Sequence, residues 1–227
     1  MPGLPLIVFD VNETLLDLDS MAPIFERVFG ERLAVRLWFD DLIIYSEALT
    51  LANVYIPFTD IGAAALKMLA DTRGIEITDA DKAELTEKFS TMLPYREVPG
   101  ALHRLRDAGF RLFTLTDNLL EVQGKQLAHG GIIDLFERRF TADSVKRHKP
   151  APETYAHVER ELGVGPKDLF MVACHTWDTL GAKAAGWGAA LIKRKGNDVL
   201  GVGPQPDFVG NDLDEVAQEL VRRYKPL

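Results

Sequence analysis

The sequence predicts an α/β chain, a doubly wound parallel sheet with a helical insertion after its first strand. Three observations carry this. Short apolar runs recur along the chain, helical patterns closed by glycine separate most of them, and one long helical stretch interrupts the alternation early.

Leu6–Phe9 is continuously apolar and runs into Asp10, as a strand buried on both faces should. Comparable runs lie at Leu112–Thr116, 170–173 and 189–192, with a weaker one at 208–209. Helical patterns at 121–129, Pro152–Leu162 and 179–185 each meet a glycine stop, at Gly130-Gly131, Gly163 and Gly186. The stretch 19–95 has no strand candidate of this quality. Trp38, Leu42, Ile43 and Tyr45 fall at roughly helical spacing there, as do Ala65, Leu66, Leu69 and Ala70. We therefore expect a helical cap domain over 17–96, inserted into a core domain of 1–16 and 97–227. The prolines at 94 and 99, with Gly100, bracket the return to the core.

Composition narrows the class. With 227 residues, 47% hydrophobic and 26% charged, the chain can bury a full core and is neither disordered nor fibrous. Lys+Arg 26 against Asp+Glu 34 gives −8, which disfavours a nucleic-acid surface; an anionic substrate must be drawn in by local positive groups. Cys174 is the single cysteine, so a reducing compartment is the default. No basic leader or long apolar segment is evident at the start, which predicts a cytoplasmic protein without a membrane anchor.

The chemistry starts at Phe9-Asp10-Val11-Asn12-Glu13-Thr14-Leu15, which puts a carboxylate at a strand end, where ligands meet such sheets. Alone, Asp10 has a plainer reading as a helix-capping or turn residue. Three later segments add to it: Thr116 ends a strand, Lys149-Pro150 precedes a helix, and Val-Ala-Cys-His-Thr-Trp-Asp at 172–178 ends another strand. Together they resemble the four motifs of the haloacid dehalogenase superfamily, in order and over nearly the whole chain. The resemblance implies a Rossmann-like core, a cap, and Asp10 as nucleophile.

Most members of that superfamily are phosphatases, and two positions argue against phosphoryl transfer. Their second aspartate, which protonates the leaving oxygen, is Asn12 here, and an amide cannot serve as a general acid. Their first motif-four carboxylate is Cys174, a poor ligand for Mg²⁺. Halide leaves unprotonated and without a metal, so no metal or cofactor is expected. Trp177-Asp178 followed by Thr179-Leu180-Gly181-Ala182, and Lys149 followed by Tyr155, are similar to the L-2-haloacid dehalogenases. That similarity implies attack by Asp10 on C2 of a small 2-haloacid, inversion there, hydrolysis of the resulting ester by water, and a homodimer.

Charge suggests the roles. Lys149 can neutralise both Asp10 and the substrate carboxylate. Thr14 and Thr116 can donate to carboxylate oxygens, and the family's pattern gives the backbone N–H groups of Val11 and Asn12 to the substrate. Asn118 and Tyr155 complete the expected polar contacts.

Two departures stand out. The family's cap arginine, which follows an aromatic residue and receives the halide, is Phe39 here, after Trp38. Phe39, Phe58 and Trp177 are then candidates for an apolar halide pocket, unless the two phenylalanines are simply cap core. Glu13 and His175 replace the usual glycine and asparagine, and they could meet in one crevice. A carboxylate bonded to imidazole is how a general base for water is built, with Asp178 as the alternative base. Cys174 reads as a small buried hydrophobe. The rival readings are a small-molecule phosphatase with an impaired acid, and a catalytically silent binding protein.

Overall fold

A computed structural model describes residues 3–225. Its six strands are β1 (Leu6–Phe9), β2 (Leu112–Thr116), β3 (Arg138–Thr141), β4 (Leu169–Ala173), β5 (Gly188–Ile192) and β6 (Phe208–Gly210). They form one sheet in the order β3-β2-β1-β4-β5-β6, every neighbouring pair parallel. Side chains alternate between two apolar layers. Ile7 and Phe9 of β1 join one cluster with Phe170 and Val172 of β4, while Leu6 and Val8 join the other with Met171 and Ala173. That two-sided burial explains why these strands carry no polar residue until their carboxyl ends.

Winding proceeds from β1 to β2 and β3 on one side, then returns to β4 on the other. The chain thus reverses beside β1, and the crevice at the carboxyl ends of β1 and β4 is the natural ligand position of an open parallel sheet.

Between β1 and β2 come α1 (Ala22–Phe29), α2 (Ala34–Leu51), α3 (Phe58–Thr72), α4 (Asp79–Ser90) and α5 (Val98–Asp107). Gly30, left-handed at φ 77°, closes α1 by returning its N–H to Glu26. Trp38, Leu42 and Ile43 of α2 are buried, as are Ala65, Leu66, Leu69 and Ala70 of α3, whereas Tyr45 faces outward. The Trp38 indole donates to the Gly62 carbonyl at 2.8 Å, joining α2 to α3. The apolar layer on the Ile7 face runs on into this insertion through Phe25, Trp38 and Phe39.

The remaining helices are α6 (Leu120–His129), α7 (Pro152–Leu162), α8 (Thr176–Ala184) and α9 (Leu213–Tyr224). Two details differ from the sequence reading. Strand β3 has no apolar run: Arg138 is exposed at the sheet edge and lies over the Phe140 ring at 4.9 Å. Helix α8 begins at Thr176, because extended His175 (φ −94°, ψ 126°) is its cap, so Trp177 and Asp178 belong to its first turn. No helix among the described residues is long and apolar enough to cross a membrane.

Candidate active site

Asp10 follows β1, its N–H held by the Val172 carbonyl of β4 at 3.1 Å. Both its oxygens are occupied. Lys149 donates to Oδ1 at 2.9 Å, and the Thr14 hydroxyl donates to Oδ2 at 2.6 Å. That hydroxyl also accepts the Cys174 N–H at 2.9 Å, clipping the β1 turn to the β4 turn. Lys149 further donates to Asp178 at 2.7 Å and to the Leu115 carbonyl at 3.1 Å, filling its three donor positions. Tyr155 fixes Asp178 from beneath, through a bond of 2.8 Å to Oδ1.

This network sets the charges. Burial opposes ionisation of Asp10, but Lys149, His175 and Thr14 outweigh it and hold the carboxyl below the usual carboxylate range. Burial likewise opposes the Lys149 ammonium, and Asp10 with Asp178 and Asp117 more than restores it. Burial pushes Asp178 up. A buried lysine shared by two carboxylates is kept protonated, with no lone pair for nucleophilic work.

Glu13 and His175 do meet: Nε2 lies 2.9 Å from Glu13 Oε2. Glu13 sits in the left-handed region at φ 61°, a conformation that glycine adopts more readily, and this turn brings its carboxylate under the imidazole. The sequence did not foretell the other side of the ring, where Nδ1 lies 3.2 Å from Asp10 Oδ2. Burial opposes a charged imidazole here, but Cys174 and the carboxylates of Asp10 and Glu13 push His175 well above its ordinary range. Burial also pushes the Cys174 thiol up, so it is neutral and the lasting pull comes from the carboxylates. Carboxylates on both sides of the ring thus favour the imidazolium at rest, and His175 must lose that proton before it can take one from water. Burial raises Glu13, but bonds from His175 and Arg36 bring it down to about 2.

A crevice of about 10 Å³ opens beside Asp10, lined by Asn12, Phe39, Ile43, Phe58, Thr116, Asp117, His175 and Trp177. It has room for about one water. Phe39 and Trp177 flank His175 with ring centroids at 5.8 and 4.8 Å. A larger apolar cavity of about 440 Å³ lies within the insertion, and Phe58 borders both spaces. Asn12 is tethered by Gln126 at 3.1 Å.

Thr116 lines the crevice, its hydroxyl accepting the Asn118 N–H at 3.3 Å, while Thr14 and Lys149 cover Asp10. Two expected contacts fall elsewhere. Asn118 is buried and turned toward Gln126, so Asp117 takes its place at the crevice. Tyr155 is fully buried behind Asp178 and acts only through it. Val11 packs its side chain in the core.

Other polar groups were missed. Asp117 accepts the Lys149 N–H at 2.8 Å. Arg194 donates to the Thr14 carbonyl at 2.9 Å, pairs with Glu97 at 2.7 Å and lies over the Tyr95 ring. Arg36 grips Glu13. All three interactions join positions far apart in the chain, which one sequence cannot reveal.

Among the described residues, Asp10, Cys174 and His175 could offer a metal one ligand atom each, all within 4.8 Å of one another. Asp10 and His175 already use such atoms on each other, and a thiol with an imidazole is a softer donor set than Mg²⁺ takes.

Gly181 of α8 permits this packing. A methyl there would meet Pro150 Cβ at 2.7 Å and collide with the Tyr155 hydroxyl. Gly181→Ala should lower stability by about 1–3 kcal/mol, read as a lower urea midpoint. Turnover should fall too, because Tyr155 can no longer seat Asp178.

A family profile for haloacid dehalogenase-like hydrolases matches residues 4–186, and the chain belongs to that family. Among similar proteins, haloacetate dehalogenase H-2 of Moraxella sp. (strain B) is 29% identical over 95% of this chain and 97% of its own. (S)-2-haloacid dehalogenase 2 of Pseudomonas sp. (strain CBS-3) is 28% identical over 92% and 93%. A solved L-2-haloacid dehalogenase, 27% identical, superposes with a TM-score of 0.92 over 96% of this chain and 99% of that one. The Xanthobacter autotrophicus L-2-haloacid dehalogenase, at 24% identity, shares the fold with a TM-score of 0.89 over 98% and 100%.

Proposed function

We propose that the chain is an (S)-2-haloacid dehalogenase, converting a short 2-haloalkanoate and water to the 2-hydroxyacid and halide. The observation that carries this is the Asp10–Lys149–Asp178 triad beside Asn12 and Cys174, a nucleophile and its cation with an amide where a phosphatase has its acid and a thiol where it has its first motif-four carboxylate. The names of the relatives support the substrate class.

Asp10 attacks C2 and the carbon–halogen bond breaks with inversion, the electron pair leaving on the halide. Lys149 offsets the meeting of two anions, while the N–H groups of Val11 and Asn12, with Thr116, receive the substrate carboxylate. Phe39, Phe58 and Trp177 give the halide an apolar seat, polarised only by ring edges. Esterification then removes the Asp10 charge that held the proton on His175, and the imidazolium releases it to solvent as the one proton the overall reaction sets free. Neutral His175, oriented by Glu13, takes one proton from water as that water adds to Cγ of Asp10. The tetrahedral centre collapses, the water's second proton leaves with the product hydroxyl, and Asp10 and imidazolium are restored. Residues 17–96 act as a cap over this crevice, which must widen to admit substrate. Exposed Leu37, Ile44 and Leu51 along α2 support a homodimer, and a cytoplasmic location fits the single reduced cysteine.

Halide release from a panel of 2-chloro- and 2-bromoalkanoates, in buffer with EDTA, tests the reading. Undiminished release supports it. Loss in EDTA with recovery on Mg²⁺, together with phosphate-ester hydrolysis, would return the chain to the phosphatases.

A further inference from the structure

We infer that Arg36, on the inserted helix α2, is a positioning residue for the hydrolytic step, gripping both oxygens of Glu13 and so fixing that carboxylate against His175. The inference rests on the base assigned above, and it adds a residue from another part of the fold.

Arg36 donates from Nη1 to Glu13 Oε2 at 2.9 Å and from Nη2 to Oε1, a two-pronged arrangement with directional as well as electrostatic content. Nη2 also reaches the Lys195 carbonyl at 3.2 Å, in the turn after β5. Glu13 Oε2 is thus shared between the guanidinium and the imidazole. The glutamate is 1% exposed, and without Arg36 its carboxylate would be free to turn about its terminal bond. Among the described residues, Arg36 is the side chain that bonds both Glu13 oxygens, and it does so from the cap side.

The grip has an electrostatic consequence. The titratable groups facing His175 are Asp10 and Glu13 from the β1 turn and Cys174 from β4, with Asp40 and Arg36 one turn apart on α2. Lys149 is a second cation close by, but it bears on the imidazole through Asp10, whose charge is lost in the ester; Arg36 draws on the same Glu13 oxygen as His175. It weakens the pull of Glu13 on the imidazole proton, so the ester form of the enzyme can shed that proton near neutral pH. Removing the guanidinium strengthens the pull, and His175 keeps its proton to higher pH. Because Arg36 comes from the insertion and Glu13 from the core, the base is complete only with α2 seated.

The test follows halide release and ester hydrolysis separately, across pH, in the full chain. Arg36→Met should give a halide burst of about one per site, within about threefold of the parent rate. Its ester hydrolysis should slow on the order of tenfold, with the acid limb displaced upward by about one pH unit. Arg36→Lys restores charge without the two-pronged grip, so hydrolysis should stay slow while the acid limb returns toward the parent's. If Arg36→Met is too unstable to purify, Arg36→Gln takes its place, keeping an amide donor without the charge, and its acid limb should again move upward by about one pH unit. A residue that merely glues α2 to the core would lower the melting temperature and leave the acid limb in place. Parent-like hydrolysis in both variants, or loss of the burst itself, overturns the inference. Normal turnover in His175→Ala would instead sink the base assignment, whatever Arg36 does.

Discussion

Asp10→Asn is expected to release no halide above background, a loss on the order of 10⁶-fold, the scale on which covalent nucleophiles matter elsewhere. The amide is a feeble nucleophile, and its nitrogen cannot accept from Lys149 or Thr14, each of which has one Asp10 oxygen as partner. Ion-pair loss should also cost stability, since Lys149 and His175 would remain buried with one anion fewer. Folding of the variant must therefore be checked by circular dichroism before its inactivity is interpreted. The parent offers a complementary test. Single turnover in ¹⁸O-water with excess enzyme should label the Asp10 carboxylate, because water attacks Cγ; label confined to the product hydroxyl would mean direct attack on C2 and no ester.

The pH dependence of this first step has a definite sign. Asp10's carboxyl is held below its ordinary value by Lys149, His175 and Thr14 against the opposing effect of burial. Its stabilising contribution is present above the unfolded carboxylate's pKa and is lost only as pH falls through the lowered value. The halide burst should therefore persist to lower pH than turnover does.

How much of this was legible in the sequence depended on what each residue answers to. Strands β1 and β4 declared themselves because burial on both faces disfavours polar residues along their length, and β2 departs only at Thr114, whose buried hydroxyl accepts from Gln123. Strand β3 did not, since an edge position tolerates Arg138 and Arg139. Asp10, Lys149 and Asp178 were readable because strand ends converge in this topology, and so was the meeting of Glu13 with His175. Arg36 and Asp117 were not, because nothing local distinguishes an arginine on an amphipathic helix, or an aspartate after a strand, from an ordinary surface charge. Protonation of His175 was also beyond reach: it follows from Asp10 lying on the far side of the ring, a distance no spacing encodes.

His175→Ala is the variant with the second-largest expected effect, and it separates the two chemical steps. Displacement needs an ionised Asp10, Lys149 and space for halide; hydrolysis needs a base for water. The variant should release about one halide per site and then nearly stop, with the Asp10 ester visible as added mass on the intact protein. Loss of a general base typically costs roughly 10²–10⁴-fold, so steady turnover should fall in that range. In the parent, ester formation cancels the Asp10 charge that stabilises the imidazolium, while Glu13, held near a pKa of about 2, stays anionic throughout. The parent's acid limb therefore reports His175 in the ester enzyme, and activity falls as pH drops because the imidazole regains its proton. That limb should vanish in His175→Ala, leaving residual hydrolysis by hydroxide that rises with pH. Glu13→Gln should stall less severely, since imidazole alone retains basicity, and the double variant should be little worse than His175→Ala because the two act as a unit. A missing burst in His175→Ala would assign the imidazolium to displacement, as the partner that orients Asp10 Oδ2. Undisturbed turnover would leave Asp178 to activate the water, and it would then have to be freed from Lys149, 2.7 Å away, in the ester state.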